Sequence, residues 1–175
     1  MYLSDKSIKE YINNGKIIIR GNIEIETAGI SMHLGNELLI IKPNQTIDSR
    51  VSTKIEYEIY NLLNGPYTLR PNEFILGITQ ENIRTDKDIL TMIDGRSTYA
   101  RAGMTIHLSA MILDGLPFNN ENSVLEIKNL GTSNIVLHSG ERVGTYIFAQ
   151  LTTPIEGNKE SIYTNQQQVT PPKFV

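Results

Sequence analysis

The sequence contains no cysteine and no tryptophan among its 175 residues. Without cysteine there are no disulfides and no thiolate ligands for a metal ion. No apolar run approaches the roughly 18–20 residues that span a bilayer. The first five residues have neither the basic start nor the apolar stretch of a secretory signal. We therefore expect a cytoplasmic protein that does not enter a membrane.

Basic charge is also scarce. Lysine and arginine total 16 against 19 acidic residues, which gives a net charge of −3 and a pI of about 5.6. A protein that binds nucleic acid usually has a basic face. We therefore expect this protein not to bind nucleic acid. The apolar fraction of 39% is enough for a core. The length suits one domain, residues 1–175.

Helical periodicity is nearly confined to the N-terminus. Ser4 is a suitable N-cap, Leu3 and Ile8 occupy the two staple positions, and Gly15 is a suitable end. After this helix the sequence predicts short strands, at residues 16–20, 23–26, 37–41, 67–70, 74–79, 89–93, 105–113, 123–128, 134–138 and 142–151. Turn residues separate them, which favours an all-β sandwich or barrel over βαβ units.

The densest polar segment runs from Gly95 to Gly103 and reads GRSTYARAG. Arginine forks match phosphate geometry, and glycine lets a polyanion approach the backbone. Ser97 and Arg101 are four residues apart, so one helical turn would put them on the same face. The segment suggests a nucleotide site. Taken alone, a helix N-cap and a solvated arginine explain it equally well.

The same segment resembles the GRSSxxR motif of dCTP deaminases, a family of the trimeric dUTPase superfamily. Other segments resemble the family in the same order, at residues 1–5, 30–35, 69–77, 107–114, 124–127, 139–144 and 163–167. The resemblance implies a distorted β-barrel or jelly-roll-like protomer and a homotrimer with active sites between subunits. It also implies hydrolytic deamination of dCTP to dUTP, with Mg²⁺ carried on the triphosphate.

Zinc-dependent cytidine deaminases hold their metal with H-x-E and P-C-x-x-C motifs. Here His33, His107 and His138 are not followed by x-Glu, and cysteine is absent. If the protein deaminates cytosine, we expect no zinc. A carboxylate that accepts a proton near neutral pH must then activate the water. We interpret His107 as a core histidine.

Glu126 is the candidate base. It lies in an apolar strand beside Leu125 and Ile127, and burial raises a carboxyl pKa. The resemblance implies that Glu126 takes a proton from water and passes protons to the cytosine ring and the departing amine. The alternative is an outward-facing strand glutamate, which is common because strand positions alternate.

Five further residues receive roles from the resemblance. Ser97 and Arg101 position the attacking water, together with the backbone carbonyl of Ala110. Arg96 and Thr98 contact the triphosphate, and Thr98 replaces the usual serine while keeping a hydroxyl.

The resemblance also covers Asp114 and the C-terminal tail, residues 157–175. Asp114 would hold the deoxyribose, and in dUTPase relatives this residue helps to activate a water for attack on the phosphates. On spacing alone it is a turn aspartate. Tyr163 and Gln166 would close over the phosphates as part of a lid. From spacing alone the tail is a frayed terminus.

The sequence departs from the family pattern in three places. The segment between Asp114 and Glu126 is two residues longer and its glycines are rearranged, Ile162 stands where the family has lysine, and Gln168 stands where it has glycine. Three functions stay open: a dCTP deaminase, a dUTPase or bifunctional enzyme that releases diphosphate, and an inactive nucleotide-binding regulator. Typical dUTPase motifs are missing, which favours the deaminase.

Overall fold

The computed structural model describes residues 1–51, 54–113, 121–157, 162–163 and 166–174. The described chain is mostly β, and its elements are α1 (Asp5–Asn13), β1 (Ile17–Arg20), β2 (Ile25–Glu26), β3 (Gly29–Ile41), β4 (Tyr57–Asn61), a 3-10 turn (Leu62–Asn64), β5 (Tyr67–Leu69), β6 (Phe74–Thr85), β7 (Ile89–Gly95), α2 (Ser97–Arg101), β8 (Met104–Thr105), β9 (Glu121–Asn129), β10 (Ile135–Leu137) and β11 (Arg142–Gln150). None of the helices in these ranges has the length and apolar character to cross a membrane.

The predicted N-terminal helix is confirmed as α1. Ser4 precedes it in extended conformation, but the Ser4 side chain makes no capping hydrogen bond. Ile8 is fully buried, as a staple residue should be. Gly15 follows the helix with φ of 78°, a conformation that glycine adopts without strain.

Nine strands of the described residues form one sheet. Its main path runs β7-β11-β3-β6-β9-β8, while β1 pairs with β6, and β2 and β4 pair with β3. The remaining pair, β5 and β10, forms a separate two-stranded sheet. Most predicted strands are confirmed, but β3 begins eight residues before the predicted 37–41 and β6 ends six residues after the predicted 74–79. The sequence did not predict β4, because its first three residues are exposed and the strand shows no alternation of buried and exposed side chains.

The predicted strand over residues 105–113 is wrong. Only Met104–Thr105 forms β8, and the chain then crosses from β9 to β7. The amide of Glu126 donates to the Ile106 carbonyl (2.9 Å), and the amide of Ile93 donates to the Met111 carbonyl (2.8 Å). This closing segment, residues 106–113, joins the two ends of the sheet path, so the barrel is nearly closed. The barrel-like all-β fold is therefore confirmed.

Apolar side chains cover both faces of the central strands. The interior cluster includes Tyr146, Phe148 and Leu125, all fully buried. On the opposite face, Leu39, Leu76 and Ile78 pack with Val169 of the C-terminal tail. The tail is thus packed onto the outer face of β3, β6 and β9, where the candidate site lies.

Candidate active site

Strand β9 places Glu126 on the face that the tail covers. Burial alternates along this strand, with Leu125 and Ile127 fully buried in the interior cluster. Glu126 points the other way, as strand alternation requires. It pairs in register with Leu76 of β6, and Val124 on its own strand packs against the same outer cluster. The carboxyl group therefore has mainly apolar surroundings.

These surroundings change the acidity of Glu126. Burial raises the pKa of its carboxyl from 4.5 to about 7, because water no longer stabilises the charged form fully. Burial is the cause of the shift, and no charged partner among the described residues contributes to it. A carboxyl with this pKa can accept and return a proton near neutral pH.

Glu126 opens onto a cavity of about 370 Å³. The cavity is lined by residues of β3, β6, β9, the closing segment and the tail: Ile41, Phe74, Leu76, Ala110, Ile112, Leu113, Glu121, Asn122, Ser123, Val124, Glu126, Tyr163, Gln166, Thr170 and Pro172. This size suits a small organic ligand, and a mainly apolar wall with a few polar groups is typical of such sites.

The closing segment brings Ala110 to this cavity. A turn precedes it, in which Leu108 has φ of 39° and the amide of Ala110 donates to the carbonyl of His107 (2.7 Å). His107 does not line the cavity. Its Nε2 lies 3.6 Å from Asp94 Oδ1, and its buried Nδ1 has no hydrogen-bond partner in the described part of the chain.

The tail supplies Tyr163 and Gln166 to the same cavity. The carbonyl of Gln166 accepts a hydrogen bond from the amide of Asn122 (3.1 Å), and Val169 is 6% exposed in the outer cluster. The described part of the tail is therefore packed against the barrel, not frayed.

The tail also brings a cation to Tyr163. Lys173 Nζ donates to the carbonyl of Ile162 (3.1 Å) and lies 5.4 Å from the centre of the Tyr163 ring. The Lys173 amide donates to the Tyr163 hydroxyl (3.0 Å). The sequence has isoleucine before this tyrosine, and the contact from Lys173 could not be foreseen from spacing.

The arginine-rich segment forms the short helix α2. Arg96 is its extended N-cap, and the Tyr99 hydroxyl donates to Glu141, which fixes the helix to the start of β11. Gly103 ends the turn with φ of 90°, and a Cβ there would lie 2.5 Å from the amide nitrogen of Gly131. The helix is thus held by contacts with residues distant in sequence, and the close approach of Gly131 requires glycine at its end.

Within one chain, α2 and the cavity are separate. Arg96, Ser97, Thr98 and Arg101 are all exposed, and none of them lines the cavity that contains Glu126. Ser97 and Arg101 share one helical turn, as their spacing predicts. The structure therefore brings Ala110, Tyr163 and Gln166 to Glu126 but not the residues of α2. Asp114 and the altered residues 115–120 lie outside the described residues.

Sequence reasoning missed several lining residues. Asn122 and Val124 could have been found, because they lie four and two residues before Glu126 and so share its face. Leu76 depends on the register of β6 with β9, which spacing does not give. Thr170 and Pro172 depend on the path of the tail. These contacts are long-range and leave no local pattern.

Two solved structures share this fold. One is the 2′-deoxycytidine 5′-triphosphate deaminase from Agrobacterium tumefaciens, with a TM-score of 0.64, 15% identity, and coverage of 84% of this chain and 47% of that chain. The other is the native EIAV dUTPase, with a TM-score of 0.54, 15% identity, and coverage of 83% of this chain and 98% of that chain. The fold is therefore of the dUTPase type.

The family model described as dCTP deaminase-like matches residues 2–151. The chain belongs to this family. A relative from Methanobrevibacter smithii named dCTP deaminase, dUMP-forming, is 36% identical over 88% of this chain and 82% of its own length. One of the same name from Dictyoglomus turgidum is 32% identical over 99% of this chain and 95% of its own. A dCTP deaminase from Haloarcula marismortui is 29% identical over 89% of this chain and 84% of its own.

Proposed function

We propose that this protein is a cytoplasmic enzyme of pyrimidine deoxynucleotide metabolism that hydrolytically deaminates dCTP. The observation that carries the proposal is Glu126, a partly buried carboxyl with a pKa of about 7 at a cavity of about 370 Å³. Membership of the dCTP deaminase-like family supports the substrate.

Glu126 acts as the proton carrier in this proposal. Its carboxylate takes a proton from water while the oxygen attacks C4 of cytosine, and it passes this proton to the ring nitrogen N3. The carboxylate then takes the second proton from the new C4 hydroxyl and delivers it to the amino group, so that the C4–N bond breaks, the C4 carbonyl forms and ammonia leaves. The balance is dCTP plus water to dUTP plus ammonia. A pKa near the working pH suits both directions of transfer.

The water needs further positioning groups. The Ala110 carbonyl accepts a hydrogen bond from it, because Ala110 lines the same cavity. Ser97 and Arg101 come from α2 of a neighbouring subunit, since in their own chain they are exposed and off the cavity. A fixed guanidinium also stabilises charge in the tetrahedral intermediate. The proposal thus includes a homotrimer with shared sites.

The triphosphate lies towards the tail and α2. Tyr163 and Gln166 close over it from the tail, where Lys173 adds a cation beside Tyr163. Arg96 and Thr98 contact it from the neighbouring subunit. Mg²⁺ arrives with the triphosphate. Among the described residues no group of three or more His, Asp or Glu could hold a metal ion.

We further propose that the final product is dUMP. The relatives from Methanobrevibacter smithii and Dictyoglomus turgidum, whose names specify dUMP formation, are more similar to this chain than the Haloarcula marismortui deaminase. A second water then cleaves dUTP to dUMP and diphosphate, and Asp114 is the candidate residue to direct it. In this proposal dUMP replaces dUTP, which the family resemblance implied, as the released product.

One experiment separates the alternatives. The protein is incubated with Mg²⁺ and either dCTP or dUTP, and ammonia and diphosphate are measured separately. We expect both products from dCTP. Ammonia without diphosphate would leave a deaminase that releases dUTP, and diphosphate from dUTP alone would indicate a dUTPase. Tight nucleotide binding with neither product would indicate a regulator and refute the proposed activity.

A further inference from the structure

A buried carboxylate lies behind the pocket wall and has no part in the chemistry described so far. Glu81 of β6 is fully buried. Its Oε1 lies 2.6 Å from His33 Nδ1, and its Oε2 accepts a hydrogen bond from the His33 amide at 2.9 Å. His33 is only 6% exposed. An unpaired carboxylate at such a depth would be very costly, so His33 is its necessary partner.

Glu81 belongs to a bulge in β6. Ile78 pairs with Val124 of β9, but the next pair is Asn82 with Asn122. Residues 79–81 therefore face a single residue of β9. A bulge leaves backbone groups without their ladder partners, and these groups need other hydrogen bonds.

Two residues of the pocket wall provide those hydrogen bonds. Asn122 Nδ2 lies 3.0 Å from the Thr79 carbonyl and 3.3 Å from the carbonyls of Gln80 and Glu81. The Ser123 amide donates to Thr79 Oγ1 at 2.9 Å, and Thr79 Oγ1 donates to the Glu81 carbonyl at 3.0 Å. The bulge and this part of the wall therefore hold each other in place.

The same residues reach the ligand cavity and the tail. Asn122 and Ser123 line the cavity three to four residues before Glu126. The Asn122 amide also holds the Gln166 carbonyl of the tail. A shift of the bulge would thus move the cavity wall, the tail and the strand that carries Glu126.

We propose that His33 and Glu81 are a positioning pair for the active site. The pair fixes the bulge from the far side, and the bulge sets where Asn122, Ser123 and the tail stand against the nucleotide. Neither residue touches substrate. The expected change in kcat rests on the proposed function, whereas the expected change in hydrogen exchange at Ser123 rests on the bulge geometry alone.

The test replaces the whole pair, because removing one partner without a substitute hydrogen-bonding group would leave the other buried side chain unpaired. The double variant His33→Leu/Glu81→Leu removes both polar side chains together, a type of replacement that often preserves folding. The matched control is Lys16→Leu/Asp88→Leu, which removes a Lys–Asp ion pair (2.6 Å) whose residues do not line the cavity. Measurements are kcat and KM for dCTP, the melting temperature, and hydrogen exchange of the Ser123 amide.

We expect the His33→Leu/Glu81→Leu variant to fold, to lose roughly 10- to 100-fold in kcat, and to exchange the Ser123 amide faster, since small displacements of reacting groups cost rates of this order. The control should keep its kcat and its Ser123 protection. A kcat equal to that of the control in a folded variant would overturn the proposal.

A second pair of variants decides the matter if the leucine variant does not fold. In His33→Asn the side-chain amide nitrogen lies as many bonds from Cβ as Nδ1 does and can hydrogen-bond to Glu81 from nearly the same place. In His33→Gln the side-chain amide nitrogen lies one bond further out and does not take that place. We expect His33→Asn to keep kcat within about threefold and His33→Gln to lose about tenfold. Equal values for the two would refute positioning. If the wild type itself releases no ammonia from dCTP, the proposed function fails. The Ser123 exchange rate then decides this inference, and unchanged protection refutes it.

Discussion

At the scale of residues, the raised pKa of Glu126 follows from where β9 places it. Leu76 lies directly opposite on β6 and Val124 lies on the same face, so the carboxyl loses much of its hydration. Sequence reasoning could predict a partly buried glutamate from its apolar neighbours. It could not predict the facing strand, because the register of β6 with β9 comes from long-range pairing.

The first prediction concerns the pH dependence of the rate. The base must be ionised to act, so kcat/KM for dCTP should rise with pH through about 7, the pKa of Glu126. Leu76→Asn brings polar atoms to the carboxyl and should lower its pKa, which moves the inflection to lower pH.

Ile78→Asn is the matched control for this shift. Ile78 lies on the same face of β6 with the same 6% exposure, but it pairs with Val124 instead of Glu126. A pH–rate profile of each variant is the measurement. Inflections that move equally in both variants would show that hydration beside Glu126 does not set its pKa.

The second prediction concerns stability. The folded-state pKa of Glu126 lies above its unfolded value of 4.5. The unfolded chain therefore releases this proton first, and the Glu126 contribution to stability falls from about pH 4.5 to about pH 7 and then stays constant. Glu126→Gln should thus stabilise the protein above pH 7, by about 1–2 kcal/mol for a partly exposed group, and not below pH 4. Thermal melts at pH 4 and pH 8 and fixed protein concentration test this, and an equal difference at both pH values would contradict it.

At the scale of elements, the C-terminal tail is the segment whose packing could least be predicted from sequence patterns. Its polar composition is typical of a frayed terminus, yet Val169 is buried against Leu39, Leu76 and Ile78. One apolar residue in a polar segment carries no periodic signal. In the closing segment, by contrast, the sequence pattern predicted a strand that does not form. Residues 105–113 alternate like a strand, but the chain turns at Leu108, which has φ of 39°.

The third prediction addresses the docking of the tail. Val169→Asp places a charge in the outer cluster and should release the tail from the barrel. Because Tyr163 and Gln166 would then leave the cavity, KM for dCTP should rise about tenfold or more, while the melting temperature changes little. Val136→Asp, at an exposed valine of β10, is the control. Steady-state kinetics measure the effect, and an unchanged KM in Val169→Asp would show that the tail does not cover the nucleotide.

At the scale of the whole molecule, the all-β class could be predicted because ten short segments with turn residues between them favour a sandwich or barrel over βαβ units, and the family resemblance implied the barrel. The proposed division of the active site between subunits could not be deduced from the residues of one chain. Glu126 and Ala110 face the cavity, whereas Ser97 and Arg101 are exposed on α2. The resemblance to a trimeric family implied shared sites, and the separation within one subunit is consistent with that arrangement.

The fourth prediction tests shared sites by mixing inactive variants. Arg101→Ala keeps Glu126, and Glu126→Gln keeps Arg101, so a mixed trimer contains some sites with both native residues. When equal amounts of the two variants assemble at random into rings with heterologous interfaces, up to about a quarter of the sites receive native Glu126 from one subunit and native Arg101 from its neighbour. Ammonia release after co-refolding is the measurement. Mixed trimers without activity would show that each site uses both residues of a single subunit.

The central claim is that the Glu126 carboxyl moves the protons of cytosine hydrolysis. The most direct measurement compares Glu126→Gln with Glu121→Gln, a change at another carboxylate among the described residues that line the cavity, by ammonia release from dCTP and by dCTP affinity in calorimetry. We predict that Glu126→Gln binds dCTP within a few-fold of the wild type and releases no ammonia above background, while Glu121→Gln still turns over. Ammonia release from Glu126→Gln at the wild-type rate would contradict the account.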